Sequence, residues 1–256
     1  YYYFEEFKER IYSQEKNFAN YIVEFLLNGG ALVLKNSFDK IFLSHLKKNI
    51  SDIFINQKSS FHKIIENCPN FYRNINPDIS HKYAFHQIKE TYYFFPWNDD
   101  LLNLYNETYK KWRVLKFLSG MYSDVWEKNT PKDLIVDRIQ VVKYPPNSGE
   151  LELHQDPYLY QKFFMSVYLS KKGSDYFEGG MYFMNKKNEK IDLEEHVDVG
   201  DLAFGFGTLY HGVGKSFVEK NQMDNPLAGR WFMGLYSTVS DYVENKHTGR
   251  SAKQKN

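Results

Sequence analysis

Residues 144–156 read Tyr144-Pro-Pro-Asn-Ser-Gly-Glu-Leu-Glu-Leu-His154-Gln-Asp156. The Pro-Pro-Asn-Ser-Gly segment is a turn signal that separates an apolar run ending at Tyr144 from a second short strand. On that strand His154 and Asp156 are two apart, so their side chains leave the same face while Gln155 leaves the other. The next matching imidazole is His211, which must arrive on a strand remote in sequence and adjacent in space.

Working outward, turns and short apolar runs alternate through the second half of the chain. Strands are expected over 135–144, 151–155, 163–170, 180–185, 197–206, 208–213 and 229–237. Such a series of short antiparallel strands suggests a jelly-roll or double-stranded β-helix barrel. Helical signals dominate before Pro131. Phe18, Ile22, Phe25 and Leu26 recur at helical spacing and stop at Gly29-Gly30. A short strand over 31–34 follows. Ser37 and Asp39 mark a second helix start, with Ile41, Leu43, Leu46 and Ile50 as its buried stripe. A long helix is expected from Leu101 to Lys128. The fold class is therefore α+β: a mainly helical region over 1–130 buttresses a barrel over 131–245, and a polar, frayed tail covers 246–256.

The chain has 256 residues, of which 42% are hydrophobic and 25% charged, enough for one domain with a sizeable core. Its 33 basic and 32 acidic residues nearly cancel, so no general attraction to nucleic acid or anionic membrane is expected. No apolar run is long enough for a membrane span. Cys68 is the single cysteine, which excludes an intrachain disulfide and a multi-cysteine zinc site and fits a reducing, cytoplasmic location. The N-terminus lacks Met, which leaves a processed or truncated start open. Oligomeric state is not legible.

Two imidazoles and one carboxylate are the donors that hold one face of a non-haem Fe(II) and leave the other face to a chelating co-substrate and O2. His-x-Asp alone is unspecific. With 8 His in the chain, roughly half a match is expected by chance. A second one, His196-Val-Asp198, stands beside the Gly200-Asp201 turn and only 13 residues before His211, too close for the intervening strands; it reads as a strand-entry pair.

The surrounding order carries more weight. Tyr144 precedes the dyad, Tyr168-Leu-Ser170 ends the next strand, and Glu178-Gly-Gly180 opens another. Gly200-Asp201-Leu-Ala-Phe leads to His211-Gly-Val213, and Gly229-Arg230-Trp-Phe-Met-Gly-Leu-Tyr236 closes the series. In that order, residues 135–240 resemble the Fe(II)/2-oxoglutarate-dependent dioxygenases, notably their prolyl-hydroxylase-like branch. Residues 30–36 are similar to an early strand of the phytanoyl-CoA-hydroxylase-like relatives.

The resemblance implies that His154, Asp156 and His211 are the catalytic iron ligands, with Fe(II), 2-oxoglutarate and O2 as cofactor and co-substrates. It implies that Arg230 pairs with the distal carboxylate of 2-oxoglutarate, for which a planar guanidinium fork is suited. Tyr168 would hydrogen-bond that carboxylate and Tyr144 would line the same pocket; core packing is the plain alternative for both. Arg230 lies 19 residues after His211, about nine more than usual in that branch, and only Arg250 follows it. The excess, Lys215 to Leu227, reads as an inserted loop and a candidate lid.

By period two, Arg138 and Gln140 share the face of Tyr144, and Phe232 and Tyr236 that of Arg230. Arg138, Gln140, Tyr158 and Tyr160 are thus candidate substrate contacts. A carboxylate at position 156 leaves no place for a halide, so the expected reaction is hydroxylation, with desaturation or cyclisation open. The expected substrate is a small molecule such as an amino acid or natural-product intermediate. The alternatives are a prolyl-type protein side chain, a two-histidine-one-carboxylate enzyme that uses no 2-oxoglutarate, or a non-catalytic binding protein on the same fold.

Overall fold

The computed structural model describes residues 1–100 and 102–253. The chain opens with β1 (Tyr2–Tyr3), α1 (Phe4–Tyr12), α2 (Lys16–Leu27), β2 (Ala31–Lys35) and α3 (Lys40–Asn56). Asp39 caps α3 by accepting from the amide of Phe42, as its place before the apolar stripe predicts. Leu43, Leu46 and Ile50 of the stripe are buried, but Ile41 is exposed, because it lies in the first turn on the flank facing solvent. Phe25 of α2 is likewise partly exposed.

There follow β3 (Phe71–Ile75), the short α4 (Pro77–Ser80), β4 (Gln87–Phe94) and α5 (Leu104–Leu118). The helix expected over 101–128 is shorter at its C-terminal end: the chain leaves it at Ser119, and Gly120 takes a left-handed φ of 79°. Its expected first residue, Leu101, lies outside the described residues. The second half supplies β5 (Ile135–Tyr144), β6 (Glu150–Gln155), β7 (Phe163–Tyr168), β8 (Gly180–Met184), β9 (Lys190–Asp192), β10 (Leu202–Phe206), β11 (His211–Gly214), β12 (Arg230–Val239) and β13 (Arg250–Ser251). Strands are found at all seven expected places, though the one expected over 197–206 begins only at Leu202, after the turn around Gly200.

The architecture is mixed α+β and is dominated by one large sheet in the order β1-β2-β10-β7-β12-β5-β4-β6-β11-β8-β9, with β3 beside β4 and β13 beside β6. Among the described residues this path is open, ending at β1 and β9; the expected barrel is not closed by hydrogen bonding. The segment before Pro131 is more than a helical buttress. It provides β2, which pairs with β10, and β4, which lies between β5 and β6.

Alternation along the strands sorts the core into two layers. Ile139, Val141, Trp231, Met233 and Leu235 face the helices and pack with Phe7, Ile22, Leu46, Trp112 and Leu115. Val142, Tyr144, Phe164, Tyr168, Phe232 and Met181 make a second cluster on the opposite face. Each fully buried large apolar side chain contributes about 1.5–3 kcal/mol. A buried ion pair ties helix to sheet on the first face: Lys116 of α5 meets Asp137 of β5 at 2.5 Å with both side chains buried. No helix among the described residues is long and apolar enough to cross a membrane.

Two expectations fail at the periphery. The stretch 246–256 is not simply frayed, since β13 pairs with β6 and sets Ser251 opposite His154; residues 254–256 lie outside the described residues. The Lys215–Leu227 insertion is no lid over His154, Asp156 and His211. The carbonyl of Pro226 accepts from Ser51 of α3 and Lys143 of β5, and Phe217 pairs with Phe177.

Candidate metal centre

Strand β6 carries His154, and Asp156 follows its last residue on the same side. Strand β11 pairs antiparallel to β6 with His211 directly opposite His154. One donor atom from each of His154, Asp156 and His211 lies within 4.8 Å of the other two. The imidazole Nε2 atoms stand 3.5 Å and 3.6 Å from the two Asp156 oxygens, longer than hydrogen bonds. Asp156 Oδ2 is buried and has no partner.

Both histidines are fixed by their own strands. Nδ1 of His154 lies 2.8 Å from the Glu152 carbonyl, and Nδ1 of His211 lies 2.8 Å from the Leu209 carbonyl. A carbonyl can only accept, so each Nδ1 donates and each Nε2 is left as the ligating atom. Phe85 stacks on His154 at 4.2 Å and Phe164 packs against His211 at 4.8 Å. Burial, then the neighbouring His211, pushes His154 below the usual imidazole value. Burial pulls His211 the same way, but Asp156 outweighs it and holds His211 above that value. Burial would raise Asp156, yet the two imidazoles hold its carboxyl far below the usual range. A preformed anion beside two imidazoles whose Nε2 atoms face it is a set that fits a divalent cation.

The second part of the site is a buried cation. Arg230 opens β12, opposite Tyr144 of β5. Its Nε donates to Glu194 Oε1 at 2.6 Å, while Nη1 and Nη2 are buried without partners. The guanidinium carbon lies 5.4 Å from the Tyr144 ring, 5.5 Å from Tyr168 and 5.0 Å from Phe232. The Tyr144 hydroxyl is also buried without a partner, and that of Tyr168 reaches only the Met181 sulfur at 3.6 Å. Burial pushes both phenols above their ordinary value; Arg230 opposes this, and Tyr144 also feels Asp156. Unpaired donors at this depth cost about 1–3 kcal/mol each unless something accepts from them.

Glu194 is one residue that sequence reasoning missed, as it missed Gln87, Lys89 and Tyr93 of β4. Glu194 accepts from Arg230 Nε, from the amide of Met181 and from the Tyr176 hydroxyl, and so aims the free end of the Arg230 fork. The Glu178-Gly-Gly180 signal has its reason here. Gly180 has φ 88°, and a Cβ on it would collide with the Glu194 side chain, while one on Gly179 would meet the Lys215 carbonyl.

A cavity of about 250 Å³ adjoins His154 and Asp156. Arg138 and Gln140 line it with His154 and Asp156, and Lys89, Gln87 and Tyr93 of β4 complete its wall. Tyr158 and Tyr160 are not brought into it: Tyr158 packs on His247 and Tyr160 against Trp126. No residue of the 215–227 insertion lines it. The second motif is far from metal geometry, with His196 exposed in a helical turn and Asp198 paired with Lys171 and Lys40.

No family model matches the chain, and no curated protein matches it in sequence. Solved structures do. It is similar to a prolyl-4-hydroxylase from Pseudomonas putida at TM-score 0.55 and 11% identity, over 87% of this chain and 98% of that one. Similarity to a full-length Neurospora crassa protein, solved in complex with alpha-KG and 5-formyluracil, has TM-score 0.58 and 14% identity, over 95% and 85% of the two chains. A prolyl hydroxylase from Trichoplax adhaerens, in complex with a hypoxia inducible factor peptide fragment, aligns at TM-score 0.53 and 12% identity, over 90% and 92%. The chain has the fold of the Fe(II)/2-oxoglutarate-dependent oxygenases, and it carries a buried His-Asp-His group able to hold a metal.

Proposed function

We propose that this chain is an Fe(II)- and 2-oxoglutarate-dependent oxygenase, a dioxygenase that hydroxylates a small molecule. Its folded sheet corresponds, on this reading, to the double-stranded β-helix of that superfamily. The observation that carries it is the set of orphaned buried polar atoms. Asp156 Oδ2 is an acceptor without a donor; Arg230 Nη1 and Nη2 and Tyr144 Oη are donors without an acceptor. A divalent cation bound by His154, Asp156 and His211 satisfies the first, and the far carboxylate of a dicarboxylic co-substrate satisfies the rest.

When bound, Fe(II) and 2-oxoglutarate would supply the electrons that activate O2, which is the oxidant. The protein's part is positioning. The carbonyls of Glu152 and Leu209 hold two imidazoles with Nε2 inward. Glu194 takes the Nε edge of Arg230 and presents its Nη end, while Tyr144 and Tyr168 offer hydroxyls beside it. The rings of Tyr144, Phe232 and Tyr168 exclude water from that charge, which strengthens it.

A cavity of about 250 Å³ is smaller than those that enclose drug-sized ligands, which favours a small substrate over a protein side chain on a folded partner. The thymine and 5-formyluracil carried by the Neurospora crassa structures are small molecules as well. The test is anaerobic addition of Fe(II) and 2-oxoglutarate. A metal-to-ligand band in the visible is expected in the wild type, and Arg230→Ala should weaken 2-oxoglutarate binding by about a hundredfold, the loss of a bidentate charged contact. No band in the wild type refutes the reading; unchanged affinity in the variant refutes the anchor.

A further inference from the structure

We propose that Lys89 and Arg138 form the recognition site for a carboxylate on the substrate, so that the chain acts on a small monocarboxylic acid. This rests on the oxygenase reading and narrows its substrate class.

Both cations enter the cavity by strand register. On β4 the residues 87, 89, 91 and 93 share one face, and Thr91 and Tyr93 stand opposite Val142 and Gln140 of β5. Lys89 therefore projects beside the wall that carries Arg138 and Gln140, and all three line the cavity that contains His154 and Asp156. Among the described residues neither Lys89 nor Arg138 makes an ion pair, whereas most of the chain's other lysines and arginines at partly buried positions do. Asp156 is the only acid in the cavity lining, and it is a metal ligand on the reading above.

Arg138 is held but not neutralised. Its guanidinium lies 5.2 Å from the Tyr93 ring and 5.6 Å from that of Tyr236. With its amide oxygen turned inward, Gln140 accepts from Nε at 3.3 Å and Nη2 at 2.7 Å. That occupies one edge of the fork and leaves the Nη1 end open. Burial, and then the charge of Arg138, push the Lys89 ammonium down to about 8 against the opposing pull of Asp156, and the two like charges line one small cavity. Such an arrangement is costly unless an anion enters.

Charge counting sets the valence of that anion. Arg230 and Glu194 cancel. Lys89, Arg138 and a bound iron dication together exceed Asp156 and a 2-oxoglutarate dianion by one positive charge. One carboxylate completes neutrality. It would span the open Arg138 edge and the Lys89 ammonium, and leave the carbon skeleton to reach toward the metal.

The experiment is calorimetry on the full chain, with Fe(II) and 2-oxoglutarate present anaerobically and again without them. The probes are the L-amino acids and the straight-chain acids of two to eight carbons, each beside its carboxamide. At least one acid should bind at least about tenfold more tightly than its amide, and Lys89→Met and Arg138→Met should each weaken it by about ten- to a hundredfold, the loss of one charge-assisted contact. Lys89→Arg, which keeps the charge, should retain most of the binding. The 2-oxoglutarate band should persist in all three variants. The proposal is overturned if no acid outcompetes its amide, if neither Met variant weakens the acid, or if Lys89→Met removes the 2-oxoglutarate band. Acid-selective binding in a chain that shows no band would instead refute the oxygenase reading and keep the anion site.

Discussion

Replacing Glu194 by Gln removes one charge from the buried ion pair beside the candidate metal centre and turns the Oε2 that accepts from the Tyr176 hydroxyl into an amide donor. The Oε1 atom that accepts from Arg230 at 2.6 Å and from the Met181 amide at 2.7 Å becomes an amide oxygen in the same place. Deleting one member of a buried ion pair costs about 3–5 kcal/mol; keeping the acceptor should hold the loss near about 3 kcal/mol. For a chain of this size that lowers the melting temperature by about 6–12 °C. Arg230 would then have no counter-ion of its own, so a dicarboxylate becomes its only one. The affinity for 2-oxoglutarate should rise about tenfold, which adds about 1.4 kcal/mol to the stabilisation it gives at saturating concentration. Differential scanning fluorimetry of Glu194→Gln, with and without 2-oxoglutarate, reads both effects. A variant that melts with the wild type, or that gains no more from 2-oxoglutarate than the wild type, would refute the account of Glu194 as counter-ion and aiming residue.

Asp137→Ala should destabilise the fold by about 3–5 kcal/mol, since it strands the Lys116 ammonium between α5 and β5. Pairing it with Lys116→Met should recover most of that loss, and urea titration of the single and the double variant checks both statements. Divalent metal binding should weaken as pH falls toward about 6, because each ligand imidazole must shed its proton and Asp156 holds that of His211 above the usual value. Cobalt(II) titrations across pH 5.5 to about 8 measure it, and a flat profile would sink the assigned ligands.

The grouping of His154 with Asp156 was legible because a strand's period of two turns His-x-Asp into two donors on one face, and the flanking turns fix where the strand lies. Strand β4 was not legible, because one of its faces lines a polar cavity. Gln87, Lys89 and Tyr93 line a polar cavity, and the opposite face carries Ile88, Glu90, Tyr92 and Phe94, so neither side shows a clean apolar alternation. Glu194 carries no local signal, because its partners Arg230 and Tyr176 lie 36 and 18 residues away. Helix α5 was overextended because aromatic residues continue past Ser119-Gly120, a stop signal that outranks them once φ turns positive. The insertion was misread as a lid because its length was visible and its docking against α3 was not.

The position of β4 between β5 and β6 divides labour along the chain. On the proposed function, metal and co-substrate would be held by side chains from 144 to 230, while the wall that would face the substrate borrows Lys89, Gln87 and Tyr93 from a hairpin some fifty residues upstream. A change of substrate can therefore be written in the β3–β4 hairpin without a mutation in any ligand strand. Grafting that hairpin between proteins of this fold is a route to new selectivity that leaves the oxidising apparatus alone.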